Sequence, residues 1–174
     1  MRVDPRSIVR RLNPTCTKAL EAMVERAAAG RYYEIVVEHL LHGLIETEDG
    51  DVAHILQFFR KDATKVAAAV ERALQGMRTG NQGKPTFSAS LFQWLEDAWV
   101  VASLERGSVQ LRSGDLLLQF LTQPGRYTGE SIDELDGLEL DELRKNFDQI
   151  IAGSKEALEV PTTSDAGVAA PGKA

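Results

Sequence analysis

The chain carries one apolar pattern twice. Leu40, Leu41, Leu44 and Ile45 fall on Leu116, Leu117, Phe120 and Leu121 at an offset of 76, and the segment before each run aligns at 75, with Leu20-Glu21 on Leu95-Glu96 and Ala27 on Ala102. Amphipathic helices resemble one another, so two leucine patterns can match by accident. Spacing preserved across two successive helices, with one residue gained between them, makes a duplicated helical unit the better reading. No segment shows sustained period-two alternation, which argues against a sheet of any size and sets the class as all-α.

Local signals divide the chain into helices. Asp4-Pro5 and Asn13-Pro14 each place an oxygen acceptor at an N-cap and a proline where its missing N–H costs nothing. They predict a short leading helix over 5–12 and a second helix over 14–29. Proline disfavours a helical residue before it, so the two meet at an angle. The second helix bears Leu20, Met23, Val24 and Ala27 at helical spacing and stops at Gly30. Further helices follow over 36–46, then one capped by Asp51 with Val52, Ile55, Leu56 and Phe59, and one capped by Asp62 with Val66, Val70, Ala73, Leu74 and Met77. The polar, glycine-rich stretch 78–86 ends in Pro85-Thr86 and reads as a connecting loop. Ser88 opens a helix to about Arg106 with Leu91, Leu95, Ala98 and Ala102 on one stripe. Ser113 opens the next, and a last helix bears Leu140, Leu143, Phe147, Ile150 and Ile151 after an acidic segment, 130–142. Beyond Pro161 small and polar residues dominate, the composition of a flexible linker.

The 174 residues, 43% hydrophobic, suffice for one ordinary core, so one compact unit with tails is expected. Cys16 is the sole cysteine, which excludes a disulfide framework and a multi-cysteine zinc site and fits a reducing cytoplasm. The opening MRVDPRSIVRRL lacks the apolar core of a signal peptide, and no run approaches the roughly 20 apolar residues of a membrane span. A net charge of −6 argues against nucleic acid as partner. Arg2, Arg6, Arg10 and Arg11 depart from that balance. They read as the solvated face of a short helix, with an acidic-partner site as the second reading.

Catalytic chemistry is hard to find in the sequence. Around Gly83-Lys84 a phosphate loop would need glycine five places earlier and a hydroxyl residue after the lysine, where Arg78 and Pro85 stand. His39 and His42 share a helix face, with His54 following, so a metal site is conceivable, although the spacing is not the zincin arrangement and both histidines are better explained as flanking a leucine stripe. Cys16 has no evident activator and reads as a packed side chain. The acidic cluster Glu130, Asp133, Glu134, Asp136, Glu139, Asp141 and Glu142 reads as solvated helix ends rather than paired catalytic carboxylates. The expectation is no catalytic residue, no metal and no cofactor in this domain.

The segment Leu12-Asn-Pro-Thr-Cys-Thr-Lys-Ala-Leu-Glu-Ala followed by Tyr33-Glu-Ile-Val-Val-Glu-His-Leu-Leu-His-Gly-Leu-Ile-Glu46 resembles the first repeat of the Clp amino-terminal domains, whose hallmark here is Glu38-His39-Leu40-Leu41. The second copy, from Phe87 and again from Arg112, is looser. There Gly114-Asp115 replaces the Glu-His pair and removes that polar pair. Three features are similar to the ClpV (TssH) group of type VI secretion AAA+ ATPases: the extra leading helix, the hinge Arg78-Thr-Gly-Asn-Gln-Gly-Lys-Pro85, and Trp99-Val-Val-Ala-Ser-Leu-Glu-Arg-Gly107. The resemblance implies a pseudo-twofold helical bundle divided as leading helix 1–12, first repeat 13–77, connecting loop 78–86, second repeat 87–158 and linker 159–174. It further implies a cytoplasmic chaperone that, full-length, is a homohexamer using ATP and magnesium in modules beyond this chain to disassemble contracted secretion sheaths. This domain, expected as a monomer without ATPase activity, would recognise the sheath subunits. The competing implication is a general ClpB- or ClpC-like domain for unfolded substrates or adaptors.

The expected partner element is an amphipathic helix of the large sheath protein, lying in a groove between the leading helix and the opening of the second repeat. Ile8, Val9 and Leu12 are too few to stabilise a two-turn helix alone, so that helix must rest on a neighbour and leave part of its apolar edge available. Phe87 and Leu91, near the hinge, complete the expected partner-binding set. Trp94 and Trp99, five residues apart, flank opposite edges of the α-helical stripe, so both cannot sit at its centre.

Overall fold

The computed structural model describes residues 4–159; the first three residues and the expected linker from Pro161 onward lie outside the described residues. Asp4 caps α1 (Pro5–Val9), its carboxylate accepting from the Arg6 N–H at 3.1 Å. The helix ends three residues before the expected Leu12. The reason is a competing partner: Leu111 N–H donates to the Arg11 carbonyl at 2.6 Å and Asn13 N–H to the Leu111 carbonyl at 2.9 Å, so Leu12 joins a parallel bridge with Leu111 instead of another helical turn. α2 (Pro14–Ala29) opens under Asn13, whose side-chain oxygen accepts from Cys16 N–H at 2.9 Å.

The first repeat continues through β1 (Glu34–Ile35), α3 (Val37–Glu46), α4 (Asp51–Phe58) and α5 (Ala63–Gln75), the last capped by Asp62. The second comprises β2 (Thr86–Phe87), α6 (Ala89–Glu105) capped by Ser88, α7 (Ser113–Thr122), the short α8 (Pro124–Tyr127) and α9 (Leu140–Ala152). Short 3-10 turns lie at Asp133–Leu135 and Lys155–Leu158. β1 and β2 form a two-residue parallel ladder, Glu34 against Thr86 and Ile35 against Phe87, which ties the start of one repeat to the start of the other. Two residues per strand cannot display an alternation, so this corrects the expectation of no sheet without contradicting the pattern that produced it.

One core serves both repeats because each repeat crosses into the other. α4, the connection between α3 and α5, packs on α7 and α9 rather than mainly on its own repeat. The corresponding connection of the second repeat returns the arrangement: its 3-10 turn packs on α5 and buries Ile132, Leu135 and Leu138. The acidic side chains of that segment stay outside, with Glu134 paired to Arg72 at 2.9 Å.

A buried polar junction closes the chain. Glu156, 1% exposed, accepts from Asn13 Nδ2 (2.8 Å), Ser113 N–H (2.9 Å), Asp51 N–H (2.6 Å) and the Ser113 hydroxyl. One carboxylate thereby satisfies the first N–H groups of α4 and α7, donors a helix cannot satisfy itself, where a negative charge also meets the positive helix ends. Asp51 beside it is held bidentately by Arg112 (3.0 and 2.8 Å) and accepts from Gly114 N–H at 3.1 Å. Burial pushes the Asp51 carboxyl up, and the Arg112 hydrogen bonds oppose that shift. Glu159, assigned to the linker by the sequence reading, accepts from the N–H (3.1 Å) and hydroxyl (2.5 Å) of Thr15.

Candidate partner-binding groove

α6 is apolar on more than one face. Leu91, Trp94, Leu95, Ala98 and Ala102 are buried in the core. At 100° per residue, Phe92 and Trp99, seven apart, share one edge of the helix, while Val100 and Leu104 turn away from the core. Phe92 and Trp99 are partly buried, Val100 is 45% exposed and Leu104 80%. Phe87, 38% exposed, lies against Phe92 with ring centroids 5.4 Å apart.

α1 packs on α6, and the residues just past its end lie beside Trp99. Arg11 stacks its guanidinium 5.1 Å from the Trp99 ring centroid, a cation–π contact that fixes both side chains at the junction. Of the five residues expected to bind a partner, Phe87 is exposed and Val9 half-buried, while Ile8, Leu12 and Leu91 belong to the core. The leading helix rests on a neighbour as its short apolar set requires. Val100 and Leu104 were missed by the sequence reading, although the run Trp99-Val-Val-Ala-Ser-Leu104 carries their signal, apolar residues off the buried stripe. Trp94 is fully buried and donates its indole N–H to the Leu116 carbonyl at 2.9 Å.

Two further clefts are related by the duplication. One, about 930 Å³, is lined by Arg26, His42, Glu46 and Glu71 among others. The second, about 480 Å³, places Val101, Leu118, Thr122 and Asp148 at the corresponding points of α6, α7 and α9. In the first, Arg26 donates to Glu71 and to His42 Nδ1 (2.9 Å), and the Arg26 hydrogen bond holds the Glu71 carboxyl below its usual range. The polar side chains satisfy one another there.

The histidines expected as a conceivable metal site have other roles. His39 Nδ1 accepts from Val36 N–H at 3.0 Å, capping α3 from inside, and burial, with the Arg26 charge behind it, lowers its pKa to about 4. His54 pairs with Asp49 at 2.7 Å. Among the described residues no three His, Cys, Asp or Glu side chains are grouped to hold a metal ion. The second repeat corrects one expectation: Asp115 stands where His39 stands and accepts from Arg112 N–H at 3.0 Å, so the polar cap survives and only Glu38 is lost, to Gly114. A Cβ on Gly114 would lie 3.0 Å from both the Cβ and a carboxylate oxygen of Asp51, which explains the glycine. Cys16 is buried, and burial raises its thiol well above the usual range.

The duplicated helical bundle, with Phe87, Val100 and Leu104 exposed at the start and along the outer side of α6, has the architecture of a protein-recognition module. The chain belongs to the Clp repeat (R) N-terminal domain family, whose description matches residues 11–135. It is similar to the chaperone protein ClpB of Yersinia enterocolitica, 29% identical over 166 residues, 93% of this chain and 18% of the relative. It is also similar to the AAA+ ATPase ClpV1 of Pseudomonas aeruginosa, 29% identical over 170 residues, 94% of this chain and 18% of that protein. The chain thus spans about a fifth of the length of the curated relatives it matches. Among solved structures, a complex of a ClpV N-domain with VipB peptide superposes with a TM-score of 0.80 at 27% identity, covering 90% of this chain and 96% of that one. No helix of the described residues is long and apolar enough to cross a membrane.

Proposed function

We propose that this chain is the substrate-recognition amino-terminal domain of a ClpV-type unfoldase and that it binds a helix of the type VI sheath subunits between α1 and α6. The observation that carries the reading is the apolar surface of Phe87, Phe92, Val100 and Leu104 beside a leading helix that lies ahead of both repeats. Helix-in-groove recognition uses apolar anchors at helical spacing, which this surface matches. Val9 and Phe87 contact the partner, while Ile8, Leu12 and Leu91 support them from the core. The similar ClpV N-domain captured with a VipB peptide supports the same reading.

The domain itself catalyses nothing in this proposal. ATP and magnesium serve the modules beyond it, the full-length protein is a hexamer, and the setting is the cytoplasm. A binding titration with purified sheath complex tests the assignment: saturable binding that is lost in Leu104→Asp is expected. Equal capture of heat-aggregated protein and sheath subunits would favour the general ClpB-like reading, which the ClpB relative keeps in view.

A further inference from the structure

Three arginines of the leading segment, Arg6, Arg10 and Arg11, have no acidic partner among the described residues. All three are exposed; Arg31, Arg60, Arg78 and Arg144 likewise form no ion pair among the described residues, but Arg6, Arg10 and Arg11 are gathered within six residues. The nearest acid in sequence, Asp4, is engaged as the cap of α1. Arg6 and Arg10 stand four apart on a helical turn, an arrangement of like charges that destabilises a helix. A cation near a helix C-terminus favours the dipole, and in this five-residue helix that describes both Arg6, in the last turn, and the cap Arg10, without giving either an ionic partner. This cluster sits on a protein whose net charge is −6. Arg11 is moreover fixed on the Trp99 ring, which leaves the planar N–H fork at the groove, a geometry suited to carboxylates.

The α6 wall differs. Its outward side carries Glu96 by helical spacing between Phe92 and Val100, and Asp97 is already taken by Arg126 (2.9 Å) and the Tyr127 hydroxyl (2.6 Å). One wall is cationic and the other is not. We propose that the groove selects a partner helix whose apolar stripe is bordered by Asp or Glu along the edge that faces α1, so the arginines set specificity and orientation while the apolar contacts anchor. This inference rests on the groove reading above.

Three synthetic 18-residue helical peptides test it with the full chain by calorimetry. They share one leucine and phenylalanine stripe at helical spacing and carry Glu, Gln or Lys along one edge. The Glu peptide should bind about tenfold tighter than the Gln peptide at low salt and the Lys peptide more weakly than either. The gap should close near 0.5 M salt, where exposed charges are screened within about 4–5 Å. Arg10→Gln with Arg11→Gln should make the Glu and Gln peptides equivalent. Arg6→Gln, whose side chain makes no hydrogen bond among the described residues, should narrow the gap with the fold intact by circular dichroism. Equal affinity for Glu and Gln peptides, with Gln-peptide binding still lost in Leu104→Asp, overturns the charge inference and leaves the groove standing. Absence of binding by all three, or Gln-peptide binding unaffected by Leu104→Asp, overturns the groove and the inference together.

Discussion

The side chains of Asn13 and Glu156 meet at 2.8 Å across 143 residues, so the opening of the first repeat and the end of the second are fixed to each other inside the protein. Removing the charge at Glu156 keeps the shape but places an NH₂ against donors that need an acceptor. Glu156→Gln is expected to lose about 2–4 kcal/mol of stability, the scale for breaking a buried, charge-assisted network. Guanidinium denaturation checks this, with the exposed Glu105→Gln unchanged as control.

Acid should weaken the fold through His39. Its folded pKa is lowered to about 4 against an ordinary 6.5, so the unfolded chain binds the proton first. The stability is complete above 6.5, is lost as pH falls toward 4, and changes no further through this group below that. Linkage gives a loss of about 2 kcal/mol between pH 7 and pH 5 from this residue. His39→Asn keeps an acceptor for the Val36 N–H without titrating, so denaturation curves at the two pH values should converge by about that amount relative to the wild type.

Two glycines on equivalent helices should respond in opposite directions. At Gly43 an added Cβ meets nothing closer than 3.7 Å, so Gly43→Ala should gain up to about 1 kcal/mol from helix propensity. At Gly114 the Cβ would press on Asp51 at 3.0 Å, and Gly114→Ala should lose about 1–2 kcal/mol because overpacking outweighs propensity. Thermal melts of the pair decide it, and a stabilised Gly114→Ala would show that α4 yields easily.

Leu12→Ala and Phe87→Ala should separate folding from binding. Leu12 is 1% exposed, so its truncation should cost about 2–4 kcal/mol of stability. Phe87 should cost about 1–3 kcal/mol of affinity for a sheath peptide with little change in stability. Calorimetry and denaturation on both variants read the two effects apart.

The helices were legible where their signals were local. Asp4, Asn13, Asp62 and Ser88 each cap the helix they were expected to open, because a cap acts on N–H groups two or three residues away, whereas Asp51, also expected as a cap, is the first helical residue after Gly50. The Glu156 junction was not legible, since its donors come from residues 13, 51 and 113 and none leaves a periodic trace. The crossing of α4 onto α7 and α9 was hidden for the same reason: an amphipathic stripe says that a face is buried, not against which helix. Of the residues expected to meet a partner, Phe87 near the hinge is exposed, whereas Ile8, Leu12 and Leu91 went to the core because the apolar pattern alone cannot distinguish an anchor from a packed side chain.

The bond from Thr15 to Glu159 decides where a pull is felt. That bond, with the Asn13 and Glu156 contact beside it, ties the end of the described chain to the foot of α2 as well as to α9. That foot adjoins the end of α1. A load on Glu159 is therefore shared between the covalent path back through α9 and the start of the first repeat.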